Sequence, residues 1–337
     1  MRRILLALVS VCACAFLLPR ASADDTVTLK IASVAPEGTP WSEGLQQFKT
    51  MVESKTKHVK VKLFLGGLLG DENETVQQTQ RGQIQGVGGS TGAIASLVPE
   101  LNVLELPFLF RTAKEADHVL DGVALAPLEK AFRAKGLVLG FWSENGYRSF
   151  GTSFGFIKSP ADLKGRKMRT QENKVHIQMY SAFGASPVPI PTTEVLTSLQ
   201  TGVISGYDQT PLYASAAQWL SATKYYTLTE HIYQPAAIVF NKTWFDALPP
   251  TDQAILLSAR ADLVHGMRDE IRALNPILLE NFPAMKVQVY KPTAAERASF
   301  EAPAATARDT YMAGASQGEK DLYKLISAEL KSYRGGK

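Results

Sequence analysis

An α/β protein of two lobes is the fold this sequence predicts, and three observations carry that expectation. Strand and helix patterns alternate as far as Trp142 and then begin again after Gly146. Several of the strands are unbroken apolar runs, as suits a parallel sheet covered on both faces. A long helical pattern, Thr251 to Glu280, follows the second set and is expected to span both lobes.

In chain order, Val27, Leu29 and Ile31 alternate with Thr28 and Lys30, the period of a strand with one buried face. Pro36, Gly38 and Pro40 end it. Trp41, Leu45, Phe48 and Val52 recur at helical spacing, and Val59, Val61, Leu63 and Leu65 alternate again. Such a strand, helix, strand unit needs a crossover and hence a parallel pairing. Gly66 to Glu74 forms a loop entering a helix, with acids in its first turn where the dipole favours them. Ile84 to Gly92 is a buried, glycine-rich strand that runs into Ser90-Thr91. The spacing then predicts a helix from Thr112 to Lys135 and an apolar strand from Leu137 to Trp142. After Gly146, strands are expected at Phe150 to Ile157, Lys167 to Thr170, Val188 to Ile190, Val203-Ile204 and Ala236 to Phe240. Val175, Met179 and Phe183 mark one helix of this second lobe, and Val195, Leu196 and Leu199 another. A last helix around Leu322, Leu325 and Leu330 is expected to pack on the outside.

The N-terminus sets the expected compartment. Arg2-Arg3 precede an apolar run from Ile4 to Leu18, and Ala21-Ser22-Ala23 stands before Asp24, the order of a secretory signal peptide over residues 1–23. The run is too short to span a bilayer. Cys12 and Cys14 both lie inside it, so the mature chain is expected to hold no disulfide, thiol nucleophile or thiolate metal site. A lipid anchor on Cys14 is the weaker reading, since Val11 and Cys12 before it make a poor recognition site.

Removing Arg2, Arg3 and Arg20 from the 36 basic residues leaves them one ahead of the 32 acids. A near-neutral mature chain gives no electrostatic reason to bind nucleic acid. With 45% hydrophobic residues it can bury sizeable cores, and its length suits about two domains. The five histidines are dispersed, with no spacing that makes a metal pair on one helix face, and no Gly-x-Ser-x-Gly elbow or phosphate-cradling loop occurs. His176 and Glu194 are the nearest approach to a hydrolase pair, and a lone helix histidine is more often solvated or capping. The expectation is a binding protein without catalytic residues, cofactor or metal.

A set of short motifs, in order along nearly the whole mature chain, points further. They are Gly67-Leu68-Leu69-Gly70-Asp71-Glu72, Val98-Pro99-Glu100-Leu101, Leu106-Pro107-Phe108-Leu109-Phe110, Ser159 to Arg169, Gly184-Ala185-Ser186-Pro187-Val188-Pro189, Glu194 and Leu199-Gln200-Thr201-Gly202. Together the chain resembles the extracytoplasmic solute receptors of tripartite ATP-independent periplasmic (TRAP) transporters, of the C4-dicarboxylate receptor type. The resemblance implies a two-lobed periplasmic binding protein fold with hinge strands and a long helix crossing both lobes. It implies a cleft that shuts on a small organic acid, a membrane permease as partner, a periplasmic location and a monomer. The expected lobes are residues 24–146 plus about 235–275, and 147–234 plus about 276–337. A ligand-binding module for a sensor or a lipoprotein partner is the alternative that sequence leaves open.

The resemblance also assigns site residues. Arg169 falls where family members hold a substrate carboxylate, and a guanidinium fork matches a carboxylate bidentately. On residue type alone Arg169 is one solvated member of a basic run with Lys164, Arg166 and Lys167. Arg148 matches a position where some members place a second substrate arginine; a hinge residue paired with an acid is the equal alternative. The family pattern Asp-Gly-x-Glu-Asn-Pro is replaced by Ser205-Gly206-Tyr207-Asp208-Gln209-Thr210-Pro211, so Gln209 stands in for a substrate-touching asparagine. Tyr207 is expected to enlarge the cleft toward acids other than a simple C4-dicarboxylate. Glu72, Ser90, Thr91 and Trp41 are the first lobe's candidates.

Overall fold

The structure, a computed structural model, describes residues 26–336. The expected signal peptide lies outside the described residues. One nine-stranded sheet runs through the molecule: β1 (Val27–Ala32), β2 (Val59–Phe64), β3 (Gly86–Ser90), β4 (Leu137–Thr152), β5 (Lys167–Thr170), β6 (Ser186–Pro189), β7 (Gly206–Gln209), β8 (Tyr225–Asn241) and β9 (Gln288–Tyr290). The order is β2-β1-β3-β8-β4-β7-β5-β6, with β9 on β8. β1 is parallel to β2 and β3, and β5 is parallel to β6 and β7, as the strand, helix, strand units require.

Four apolar clusters cover the sheet. Leu29, Ile31, Phe48 and Ile238 build one at the β1–β3 end, and Val87, Leu104, Leu128 and Val239 build another there, because adjacent strand residues face opposite ways. Phe150, Met168 and Met179 form a third at the β5–β7 end, and Val195, Tyr207 and Phe282 a fourth. Full burial of each such side chain contributes about 1.5–3 kcal/mol. The matching helix Pro40–Lys55 starts on a Thr39 capping box with Pro40 in its first turn, the position where a missing N–H costs nothing.

The two-lobed α/β fold is as expected, but five elements differ from the sequence reading. The strands expected at Leu137 to Trp142 and from Phe150 are one strand, β4, pairing antiparallel with β8 along its length. Likewise Ala236 to Phe240 is only the last part of β8. Both long strands cross from one end of the sheet to the other, and the pairing shifts register between Glu144 and Gly146. Gly146 has φ 97°, a conformation open to glycine. Gly146→Ala is expected to cost about 1–3 kcal/mol; an unchanged urea midpoint would show that this crossing stores no strain.

The helix expected from Thr112 to Lys135 is two, Ala113–Leu120 and Leu125–Ala134. The break falls at Gly122, where a Cβ would lie 2.5 Å from the His118 carbonyl oxygen. The long helix from Thr251 is also two, Pro250–Asp262 and Val264–Asn281, broken at Leu263. Leu256, Ala259, Val264, Met267 and Ile271 are its buried apolar residues, and the five-residue step from Ala259 to Val264 is out of phase for one straight helix. Breaking at Leu263 restores the phase. The second piece packs on the helix Pro40–Lys55, on β4 and on the helix Pro211–Ala216, so it does bridge both ends of the sheet. Finally, Val203-Ile204 is a turn after Gly202 (φ 72°), and its strand is β7; Ile204 is buried as an anchor rather than paired.

Candidate functional site

A cleft opens where several strand ends meet near the crossing of β4 and β8. Its walls come from the segment after β1 (Ser33 to Ala35), the ring of Trp41, Glu72, the end of β3 at Ser90, Asn145, Gln171, Thr192, Gln209, Tyr213 and Gln234. It encloses about 370 Å³ of empty space, counting the part open to solvent. Trp41 is fixed by its Nε1 donating to the Glu144 carbonyl at 2.9 Å, and its ring lies against Gly88, where a Cβ would come within 3.1 Å.

Arg169 lines an adjoining recess that shares Glu72, Gln171 and Thr192 with the cleft. Only 1% of the residue is exposed. Its Nε and Nη2 donate to the Ile190 carbonyl at 3.0 and 2.9 Å, and Nη2 also donates to Thr192 Oγ1 at 3.1 Å. Its Nη1 is buried with no hydrogen-bond partner. Burial, and then the charge of Arg148, pull its pKa down to about 10. The guanidinium stays charged at neutral pH with one corner unpaired, which is costly to a folded protein unless an anion completes it.

Glu72, in the first turn of the helix Glu72–Gln80, accepts from Ser90 N at 2.7 Å and Ser90 Oγ at 3.0 Å. Burial and the neighbouring charge of Asp71 push it up to about 7. A folded pKa above the ordinary 4.5 means that the native protein binds the proton more tightly. Stability is therefore fully present below pH 4.5 and is lost as pH rises through 7. In Glu72→Gln the amide oxygen keeps the contact from Ser90 N, the Ser90 hydroxyl loses its acceptor, and the side chain does not titrate. The wild type is expected to lose about 2–3 kcal/mol relative to this variant between pH 5 and 9, as urea unfolding at both pH values would report.

The remaining predicted residues are placed differently. Arg148 is fully buried, with Nε donating to Asp208 Oδ2 and Nη2 to the Asp208 carbonyl, each at 2.5 Å. Its Nη1 donates to Gln209 Oε1 at 3.2 Å and Gln234 Oε1 at 2.9 Å. It is not among the residues lining the cleft. Tyr207 packs edge-on against Trp219 with its hydroxyl 2.9 Å from Thr223 Oγ1, away from the cleft. Thr91 sits one residue past the wall, its Oγ1 2.5 Å from Glu105 Oε1 and 2.9 Å from the Pro235 carbonyl. Gln209, Glu72, Ser90 and Trp41 do line the cleft, beside Arg169's recess. Sequence reasoning passed over Asn145, Gln171, Thr192 and Gln234. Only the Asn145-Gly146 pair carried a local cue, as a turn dipeptide in what proved to be a strand.

Groups reach across the cleft between segments far apart in the chain. Tyr213 Oη donates to the Val34 carbonyl at 3.3 Å, Asn73 Nδ2 to Glu172 Oε2 at 2.9 Å, and Gln171 Nε2 to Ser90 Oγ at 3.1 Å. Among the described residues no group of three or more histidine, cysteine or acidic side chains is placed to hold a metal.

Comparison with known proteins gives a consistent picture. The family described as bacterial extracellular solute-binding protein, family 7, matches residues 31–314. The chain is 32% identical over 284 residues to the 2,3-diketo-L-gulonate-binding periplasmic protein YiaO of Escherichia coli (strain K12), covering 83% of this chain and 85% of that one. A TRAP periplasmic solute-binding protein from Sulfitobacter sp. NAS-14.1, solved with bound β-D-galacturonate, superposes with a TM-score of 0.85 at 27% identity, over 89% of this chain and 99% of the other. Another from Polaromonas sp. JS666, bound to D-erythronate, gives 0.84 at 29% identity, over 90% and 99%.

Proposed function

The chain belongs to the bacterial extracellular solute-binding proteins of family 7, and on that premise we propose that its cleft takes a sugar acid, a polyhydroxylated solute with one carboxylate. As a TRAP-type receptor it binds a small acid, and delivery of that acid to a TRAP permease is implied by the family. Family members are periplasmic receptors rather than enzymes. For this chain, export through a cleaved signal peptide at 1–23 and the absence of turnover are parts of the same reading.

The observation that carries the ligand class is the open Nη1 of Arg169. It offers one charge-assisted site for one carboxylate. A second carboxylate in the cleft would meet Glu72 and Asp71 and no second open cation, since Arg148 is engaged by Asp208. Hydroxyls suit the polar part of the wall, the amides with Ser33, Ser90, Thr192 and Tyr213, and carbon-bound faces of the solute suit Val34, Ala35 and the Trp41 ring. Galacturonate, erythronate and diketo-gulonate, the solutes of the relatives above, share that chemistry.

In this reading the lobes are residues 24–146 with about 235–275, and 147–234 with about 276–337, hinged on β4 at Gly146 and β8 at Gln234-Pro235. The ligand favours the closed form by no more than its extra contacts there. The test is mass spectrometry of the co-purifying solute, then thermal shift against D-galacturonate, D-glucuronate, D-erythronate and succinate. Sugar acids are expected to stabilise by about 2.7 kcal/mol at a hundredfold excess over Kd, and to reduce the radius of gyration in solution scattering. Succinate stabilising more than every sugar acid would overturn the ligand class; an unchanged radius at saturation would overturn closure.

A further inference from the structure

We infer that Arg148 serves the cleft without touching the ligand: it is a positioning residue that fixes which atoms of the neighbouring amides face the solute. The inference rests on the sugar-acid reading only for its choice of probe. A glutamine amide has nearly isosteric ends, one an acceptor and one a donor, and its direction is decided by what surrounds it. A guanidinium has donors only. Because Arg148 Nη1 lies 3.2 Å from Gln209 and 2.9 Å from Gln234, both must turn their oxygens toward it.

The consequences propagate. Gln209 Oε1 also accepts from Thr210 N at 2.8 Å, so only its Nε2 is left for a ligand. Gln234 Oε1 takes a second donor, Asn145 Nδ2 at 3.1 Å, and so Asn145 offers the cleft its Oδ1. At its other end Gln234 Nε2 donates to the Glu105 carboxylate at 2.8 Å and to Gln171 Oε1 at 2.7 Å. A carboxylate acceptor at that end agrees with the guanidinium at this one, so a flipped Gln234 would be wrong twice. Gln171, with its oxygen occupied, must turn Nε2 to the cleft wall, where it donates to Ser90 Oγ at 3.1 Å and Glu72 Oε2 at 3.4 Å. A single buried cation thus makes Gln209 and Gln171 donors and Asn145 an acceptor. Asp208 holds that cation in place on its far side. Such a wall presents oriented N–H donors to the acceptor oxygens of a solute.

The test is a mutant cycle read by calorimetry with D-galacturonate. Arg148→Lys keeps a charge for Asp208 but loses the reach of Nη1 to two oxygens. It is expected to remain folded by circular dichroism and to bind at least tenfold more weakly. In the Asn145→Ala/Gln171→Ala/Gln209→Ala background the same substitution is expected to change Kd less than twofold, because the ligand-facing amides it orients are gone. Wild-type affinity in Arg148→Lys, or losses that multiply in the cycle, overturns the inference. Gln209→Glu serves if Arg148→Lys does not fold. Arg148 would hold one carboxylate oxygen and turn the other to the ligand, so affinity should fall at least tenfold without loss of melting temperature; a Kd within twofold of wild type overturns it. If wild type gives neither heat nor a thermal shift with galacturonate, D-glucuronate or D-erythronate, the ligand class fails and the inference is read in ligand-free protein. There the Gln234 side-chain amide protons should exchange at least tenfold faster in Arg148→Lys while β8 backbone exchange is unchanged, and equal side-chain exchange overturns it.

Discussion

Arg169→Met is expected to abolish acid binding while leaving the fold in place. The guanidinium is the anionic solute's main partner, and each charge-assisted hydrogen bond is worth about 1.5–3 kcal/mol. Two of them lost correspond to an affinity about 10²–10⁴-fold lower. The open nitrogen, Nη1, carries two hydrogens, and Nη2 reaches a ligand only by releasing Thr192 Oγ1. Thr192 is therefore the natural gate between a one-nitrogen and a two-nitrogen grip on the carboxylate. The stability change should be small, because two effects oppose each other. The Ile190 carbonyl loses its donors, at about 1–3 kcal/mol, while a buried and incompletely paired charge is removed. Arg169→Lys, a charge without the fork, should fall between the two. Calorimetry on folded Arg169→Met returning wild-type affinity would sink the carboxylate assignment.

The elements of this fold were legible where periodicity is local. Val27 to Ile31, the helix from Trp41 and the strand from Val59 sit where alternation and helical spacing put them. What local pattern does not carry is continuity: β4 passes straight through Gly146, which in sequence looks like a restart. The break at Gly122 is local, against the His118 carbonyl four residues earlier, and only the glycine marks it; the break at Leu263 is invisible, since it is decided by a core phase set by other elements. Arg169 stood out from its basic neighbours only through the family resemblance; its burial and open nitrogen are tertiary facts. In the turn from Tyr207 to Pro211, strand alternation sends Asp208 to the opposite face from Tyr207 and Gln209, and only Gln209, at the strand end, reaches the cleft. Gln171 and Gln234 belong to no motif, because an amide becomes a recognition group through partners on three other elements.

The second large effect concerns Asp208, for which Asp208→Ala is expected to cost about 3–5 kcal/mol, since it strands a fully buried guanidinium. Asp208 also accepts from Tyr180 Oη at 2.9 Å, so the substitution leaves a second buried donor unpaired. Burial alone would push the Asp208 carboxyl up, but the Arg148 guanidinium, and then His231 with its Nε2 3.5 Å away, hold it well below the usual carboxylate range. The sign is thus opposite to that of Glu72. A depressed folded pKa gives stability that is present above the unfolded value, about 3.9, and is lost as pH falls from there toward the folded one. Wild type should accordingly lose its advantage over Asp208→Ala only in acid, while its disadvantage against Glu72→Gln grows as pH rises from about 4.5 to about 7 and is level above that. Urea unfolding at pH 7 and through acid would read both. A loss below about 1 kcal/mol at pH 7 would mean that Arg148 swings to water when its partner is gone, and the amides it orients would then be free to turn.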